Sequence, residues 1–145
     1  MKSILLVEDD PFLIDIYTTK LKESGFSIEI ATSGEEGLKK LREKKFDLLV
    51  LDIVLPKIDG WEILEKIKDQ ASERSEGEEE DEVLFAQQRA KSKNLKGLKI
   101  IILSNLGQKE EVEKGLRLGA NKYLIKAHYT PSEVVEEIKE VLKPR

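Results

Sequence analysis

Ile4-Leu5-Leu6-Val7 runs straight into three carboxylates, Glu8-Asp9-Asp10. Two other apolar runs end as abruptly: Leu48-Leu49-Val50-Leu51 meets Asp52, and Ile100-Ile101-Ile102-Leu103 meets Ser104. A shorter candidate strand, Asn121–Ile125, is followed by Lys126. Neighbouring acids repel one another and are costly beside an apolar core unless something compensates them. They either point into water or hold a cation. With no histidine or cysteine among them, they favour a hard cation with oxygen ligands, Mg²⁺ foremost. A carboxylate can also attack phosphorus and hold an acyl phosphate. The transition state of that transfer needs positive charge placed in advance. Mg²⁺ held by Asp9 and Asp52, with Lys126 opposite and Ser104 donating to a phosphoryl oxygen, would provide it. The chemistry to which these residue types point is phosphoryl transfer onto an aspartate.

For these side chains to meet, their runs must be parallel strands ending at one edge. Short apolar stretches without alternation fit strands covered on both faces, as in a parallel sheet. Ser27–Ala31 is a further strand candidate. Helical patterns lie between. Asp10-Pro11 reads as an N-cap followed by proline at the first helical position, and Leu13, Ile16, Tyr17 and Leu21 stripe that helix until Gly25. Ser33 and Glu36 fit a capping box that opens a second helix to about Lys45. A third spans Gly60 to Lys68, and a fourth Gln108 to Leu118, closed by Gly119. Thr130-Pro131-Ser132-Glu133 is another capping box, and Val134, Val135, Ile138, Val141 and Leu142 stripe the last helix. Strand and helix alternate five times, which predicts a doubly wound α/β domain with five parallel strands. Chemistry in such sheets sits at the carboxyl ends of the strands.

Composition narrows the functional classes. The chain has 145 residues, 39% hydrophobic and 37% charged, with a net charge of −4. That fits one domain and argues against a nucleic-acid-coating surface, which needs a basic face. The absence of cysteine excludes disulfides, thiolate catalysis and cysteine zinc sites. No apolar run has the length of a membrane span and the start is no secretory signal, so the expected compartment is the cytoplasm.

Residues at about 70–96 break the rhythm, since helix-to-strand connections usually take two to six residues. Glu76 to Glu82 holds six acids in seven positions, and Arg89, Lys91, Lys93, Lys96 and Lys99 follow. Val83 to Lys93 could form three helical turns. The segment reads as a surface insertion or a docking element, placed opposite the chemistry because it joins a helix to a strand.

The sequence resembles a family through ILLVEDD (4–10), DLLVLDIVLPKIDGWEIL (47–64), IIILSNLG (100–107) and GANKYLIKA (119–127). It is similar to response-regulator receiver domains, the phosphate-accepting half of two-component signalling, across residues 2–69 and 97–143. The resemblance implies a flavodoxin-like sheet of order 2-1-3-4-5. It makes Asp52 the phosphoacceptor, Asp9 a direct Mg²⁺ ligand, Glu8 a ligand through water, and the main-chain carbonyl of Val54 a further ligand. Ser104 and Tyr123 become a switch pair, Lys126 pairs with the phosphoryl group, and Pro56 and Gly60 shape the loop after the third strand.

The resemblance also implies a sensor histidine kinase or phosphotransfer protein as donor. The output would be an effector protein or a self-dimer, contacted through the strand 4–helix 4–strand 5 region, with no direct binding of nucleic acid or membrane. Because Lys143-Pro144-Arg145 follows the fifth helix directly, the reading is a stand-alone receiver, with a piece of a longer regulator as the alternative. Two positions depart from the family pattern. Ala127 stands where proline, with a cis bond, is usual, and Asn105 where alanine or glycine is common. Val54 is apolar where some members are polar, which leads us to expect a long-lived phosphoryl state. Tyr123 alone could be plain packing, while His128 and Trp61 read as a solvated bystander and a packing residue.

Competing readings are a non-phosphorylated pseudo-receiver acting as a scaffold and an aspartyl phosphatase of the haloacid-dehalogenase type. The phosphatase usually needs a second aspartate at the position of Val54. A dinucleotide fold is rejected, because the chain has EDDPFL where a G-x-G-x-x-G turn would stand.

Overall fold

Strands that are apolar on both faces need cover on both sides, and the computed structural model, which describes residues 1–71 and 94–144, supplies it. Five parallel strands, β1 (Ser3–Val7), β2 (Ser27–Ala31), β3 (Leu48–Leu51), β4 (Lys99–Ser104) and β5 (Lys122–Ile125), lie in the order β2-β1-β3-β4-β5. The helices are α1 (Pro11–Glu23), α2 (Gly34–Glu43), α3 (Gly60–Ala71), α4 (Lys109–Arg117) and α5 (Pro131–Leu142). This is the expected doubly wound, flavodoxin-like sheet.

Successive strand residues feed opposite cores. Leu5, Val7, Leu49, Leu51, Ile100 and Ile102 pack with Leu38 and Leu41 of α2 and with Ile63, Leu64 and Ile67 of α3. Ile4, Leu6, Leu48, Val50, Ile101 and Leu103 pack with Tyr17 and Leu21 of α1 and with Val134, Val135 and Ile138 of α5. Burial of one such side chain contributes about 1.5–3 kcal/mol, so the two layers hold the register that sets where each strand ends.

Capping follows the sequence with one difference. Asp10 accepts from the amides of Phe12 (2.9 Å) and Leu13 (3.5 Å), and the Thr130–Glu133 box closes in both directions. At α2, Ser33 Oγ accepts from the Glu36 amide, but the Glu36 carboxylate accepts from the amide and hydroxyl of Thr32 instead of the Ser33 amide. The longer reach satisfies one more donor ahead of the helix. α3 continues to Ala71, beyond the expected Lys68, since Asp69, Gln70 and Ala71 include no helix breaker.

At the amino edge of the sheet, Asn94 Nδ2 donates to the Arg42 carbonyl (2.8 Å) and Leu95 is buried in the first core. The acidic run at 76–82 and the helical turns expected over 83–93 lie outside the described residues.

Candidate functional site

The sheet ladder itself delivers the acids to the opposite, carboxyl edge. One rung beyond the paired strands, the Glu8 amide donates to the Ala31 carbonyl and the Asp52 amide to the Val7 carbonyl, both at 3.1 Å. Their backbones are thus as fixed as the strands, while Asp10 is occupied as the α1 cap. Glu8 and Asp52 are only 1% and 6% exposed, and Asp9 lies open to solvent. One carboxylate oxygen from each of Glu8, Asp9 and Asp52 falls within 4.8 Å of the others. An all-oxygen set with one open member fits a hard divalent cation that keeps some of its water.

Lys126, at the end of β5, supplies the positive charge. Its Nζ is 2.7 Å from Glu8 Oε2 and 2.8 Å from Asp52 Oδ2. Burial alone would depress this ammonium, but the hydrogen bonds and charges of Asp52 and Glu8 outweigh it and leave its pKa raised. Burial also pushes the Glu8 carboxyl up, helped by the Asp52 charge and opposed by Lys126 and the Asp10 amide. The site therefore has one cation between two buried acids and is acidic overall.

The loop after β3 wraps around Asp52. The Val54 amide donates to Asp52 Oδ1 (3.3 Å), while its side chain is 60% exposed at the rim. Lys57, after Pro56, sits at φ +64°, a region glycine occupies more readily. The Gly60 amide donates to the Ile53 carbonyl (2.8 Å), and a Cβ on Gly60 would stand 2.6 Å from the Asp52 carbonyl oxygen. Only glycine allows α3 to start so close to the acid.

Ser104, fully buried at the end of β4, accepts through Oγ from the Leu106 amide (3.3 Å). Tyr123 is half-buried, and its hydroxyl donates to the Leu106 carbonyl. One peptide segment thus holds both residues of the expected switch pair. Burial raises the Tyr123 phenol. Its ring lies on α4 at Gly115, where a Cβ would meet Tyr123 Cδ2 at 2.8 Å and Ile102 Cδ1 at 2.6 Å.

Lys126–His128 forms a single 3-10 turn, and no peptide bond is cis among the described residues, so the Lys126–Ala127 bond is trans. Asn105 Oδ1 accepts from the Ala127 amide (3.1 Å). His128 is exposed, and Trp61 packs on the first core with Lys114 Nζ 4.5 Å from its ring centroid.

All the expected carboxylates and Lys126 meet at one edge, with Ser104 and Tyr123 linked beside them. Sequence reasoning missed the Leu106 peptide, which offers no side-chain signal, and Gly115. An isolated glycine within a helical pattern was the available signal for the latter.

The family model for the response regulator receiver domain matches residues 4–75. The chain is 32% identical over 144 residues to the alkaline phosphatase synthesis transcriptional regulatory protein PhoP of Bacillus subtilis, covering 98% of this chain and 49% of that protein. It spans about half the length of the curated relatives it matches. Among solved structures, a CheY-like response regulator receiver domain protein from Methanospirillum hungatei aligns with TM-score 0.74 at 30% identity, covering 97% of this chain and 92% of that one. The response regulator protein TrrA from Thermotoga maritima, in complex with Mg²⁺ and BeF, aligns with TM-score 0.71 at 29% identity, covering 98% and 100%.

Proposed function

This chain belongs to the response-regulator receiver family, and from that premise we propose that Asp52 accepts a phosphoryl group in a Mg²⁺-dependent reaction that resets a protein-interaction surface. The observation that carries the reading is the convergence of Glu8, Asp9, Asp52 and Lys126 on one edge of the sheet.

Asp9, Asp52 and the Val54 carbonyl would hold Mg²⁺, with Glu8 acting through water. When bound, the ion offsets the acidic charge and withdraws electrons from the phosphoryl oxygens. A carboxylate oxygen of Asp52 forms the new bond to phosphorus as the donor's bond breaks, and the leaving group keeps that electron pair. Lys126 passes from the Asp52 carboxylate to the phosphoryl oxygens. The Ser104 hydroxyl now accepts from the Leu106 amide and lies against the Tyr123 phenol, and turning it toward the site would offer its proton to a phosphoryl oxygen. Turning Ser104 releases that amide, and Leu106, whose carbonyl in the next peptide unit accepts from Tyr123, is freed to move, so the ring can shift toward the core.

The surface of β4, α4 and β5 then changes, which suits a two-state equilibrium biased by the phosphoryl group. The donor is a sensor histidine kinase or phosphotransfer protein. The reader is an effector protein or a second copy of the chain, and neither nucleic acid nor membrane is needed for this output. The chain acts as a single receiver domain with an insertion at about 70–96, and as a phosphoacceptor, not a turnover enzyme.

The test is intact-protein mass after incubation with acetyl phosphate, with Mg²⁺ or with chelator, for wild type and Asp52→Asn. The expected result is a gain of one phosphoryl group that needs both Mg²⁺ and Asp52. A gain that persists in Asp52→Asn overturns the assignment. So does a wild type that gains nothing and also takes up no beryllofluoride.

A further inference from the structure

The side chains expected to grip the phosphoryl group from the sheet side stand at the ends of different strands, Ser104 closing β4 and Lys126 following β5. β4 and β5 are paired up to Ser104 and Ile125, the last rung of their ladder. Beyond it the chains separate, Asn105 into one loop and Lys126 into a short 3-10 turn. A turn of this kind leaves its first amides without partners of its own. Ala127 has an N–H to satisfy, and Asn105 Oδ1, 3.1 Å away, accepts it. The bond adds one side-chain rung to a ladder that the backbone has finished. Each end of this rung is the residue directly after a phosphoryl-directed one: Asn105 after Ser104, and Ala127 after Lys126.

The lysine needs such a tether. Its ammonium must reach Glu8 and Asp52 at 2.7 and 2.8 Å across a flexible four-carbon stem. The Ile125 ladder position fixes the backbone before Lys126, and the Asn105 bond fixes it after. Resting on the phosphoacceptor reading above, we propose that Asn105 is a positioning residue that holds the Lys126 turn at a set distance from Ser104 and so tunes phosphoryl binding without touching the metal ligands.

The test uses the full chain and the variants Asn105→Ala and Asn105→Asp, the latter keeping an acceptor oxygen. Amide hydrogen exchange at Ala127, followed by NMR, reports the bond. Exchange should quicken about tenfold in Asn105→Ala and stay slow in Asn105→Asp. Titrations with Mg²⁺ alone and with beryllofluoride at saturating Mg²⁺ separate positioning from general damage. In Asn105→Ala, Mg²⁺ affinity should remain within about twofold of wild type, and beryllofluoride affinity should fall about three- to tenfold, the loss of one ordinary hydrogen bond.

Unchanged Ala127 exchange in Asn105→Ala overturns the tether. So does unchanged beryllofluoride affinity, or an equal loss of both affinities. A wild type that binds Mg²⁺ but no beryllofluoride overturns the phosphoacceptor reading instead.

Discussion

Lys126 Nζ lies between the buried carboxylates of Glu8 and Asp52, 2.7 Å from one and 2.8 Å from the other. Removing one member of a buried ionic group leaves its partners uncompensated, typically at about 3–5 kcal/mol. Lys126→Met should therefore unfold at markedly lower urea concentration in chelator, by about 3 kcal/mol. Millimolar Mg²⁺ should recover part of the loss, because a cation bound only by the folded state stabilises it. Urea titrations of both proteins, with and without Mg²⁺, check this. A variant as stable as wild type in chelator would show the trio to be energetically slack.

Gly115 gives a second expectation, of opposite sign to helix propensity. Alanine is the better helix former by about 1 kcal/mol. Its Cβ, however, would stand 2.6 Å from Ile102 Cδ1 and 2.8 Å from the Tyr123 ring. Overpacking of this kind costs about 1–3 kcal/mol, so Gly115→Ala should be destabilising and should displace Tyr123. Thermal melts and the Tyr123 ring resonances report both effects; a raised melting temperature with unmoved resonances would refute the crowding argument.

Glu29 owes its pH response to two lysines. The Lys44 ammonium, 2.6 Å away, and then Lys40, at 3.5 Å, hold its carboxyl below the ordinary value. A depressed carboxylate stabilises the fold above its unfolded pKa, and that contribution is lost as pH falls through the lower folded value. The site is about one-third exposed, so solvent screening limits the effect to no more than about 0.5 kcal/mol. Glu29→Gln should show that deficit at pH 7 and converge on wild type at pH values below the ordinary carboxylate range. Urea unfolding across this range is the measurement, and a deficit that grows on acidification contradicts the sign.

The proposed phosphoryl state gives Val54 a testable consequence, its effect on how long that state lasts. Its side chain is open at the rim and carries no polar atom to orient an attacking water. Val54→Asn or Val54→Glu should shorten the phosphoryl lifetime severalfold, followed by loss of mass after removal of the donor. A wild-type half-life of only seconds, unchanged in both variants, would remove Val54 from the account.

The strands and rim acids were legible in the sequence because their signals are local: an apolar run specifies a buried strand, and the next residue must emerge at its end. Asp10 and Thr130 were equally plain as caps, since both act within three residues. Side-chain bonds made between loops were not. Asn105 and Ala127 stood out in the sequence as two separate departures from a family pattern, yet they are bonded to each other across 22 positions. Neither residue type announces that partnership, which depends on where two loops come to rest. The Glu36 side chain illustrates the same limit at short range, because two acceptable donors competed and geometry chose Thr32.

The amino edge, where Asn94 is bonded to Arg42 and Leu95 enters the core, lies a full strand away from the acids, about 13–16 Å at the usual rise. The chain departs after α3 and returns before β4 on that remote side. For protein engineering this makes it a natural splice point. A fluorescent or affinity module could be joined there, or fresh termini opened, with Asp52 and Lys126 left in register.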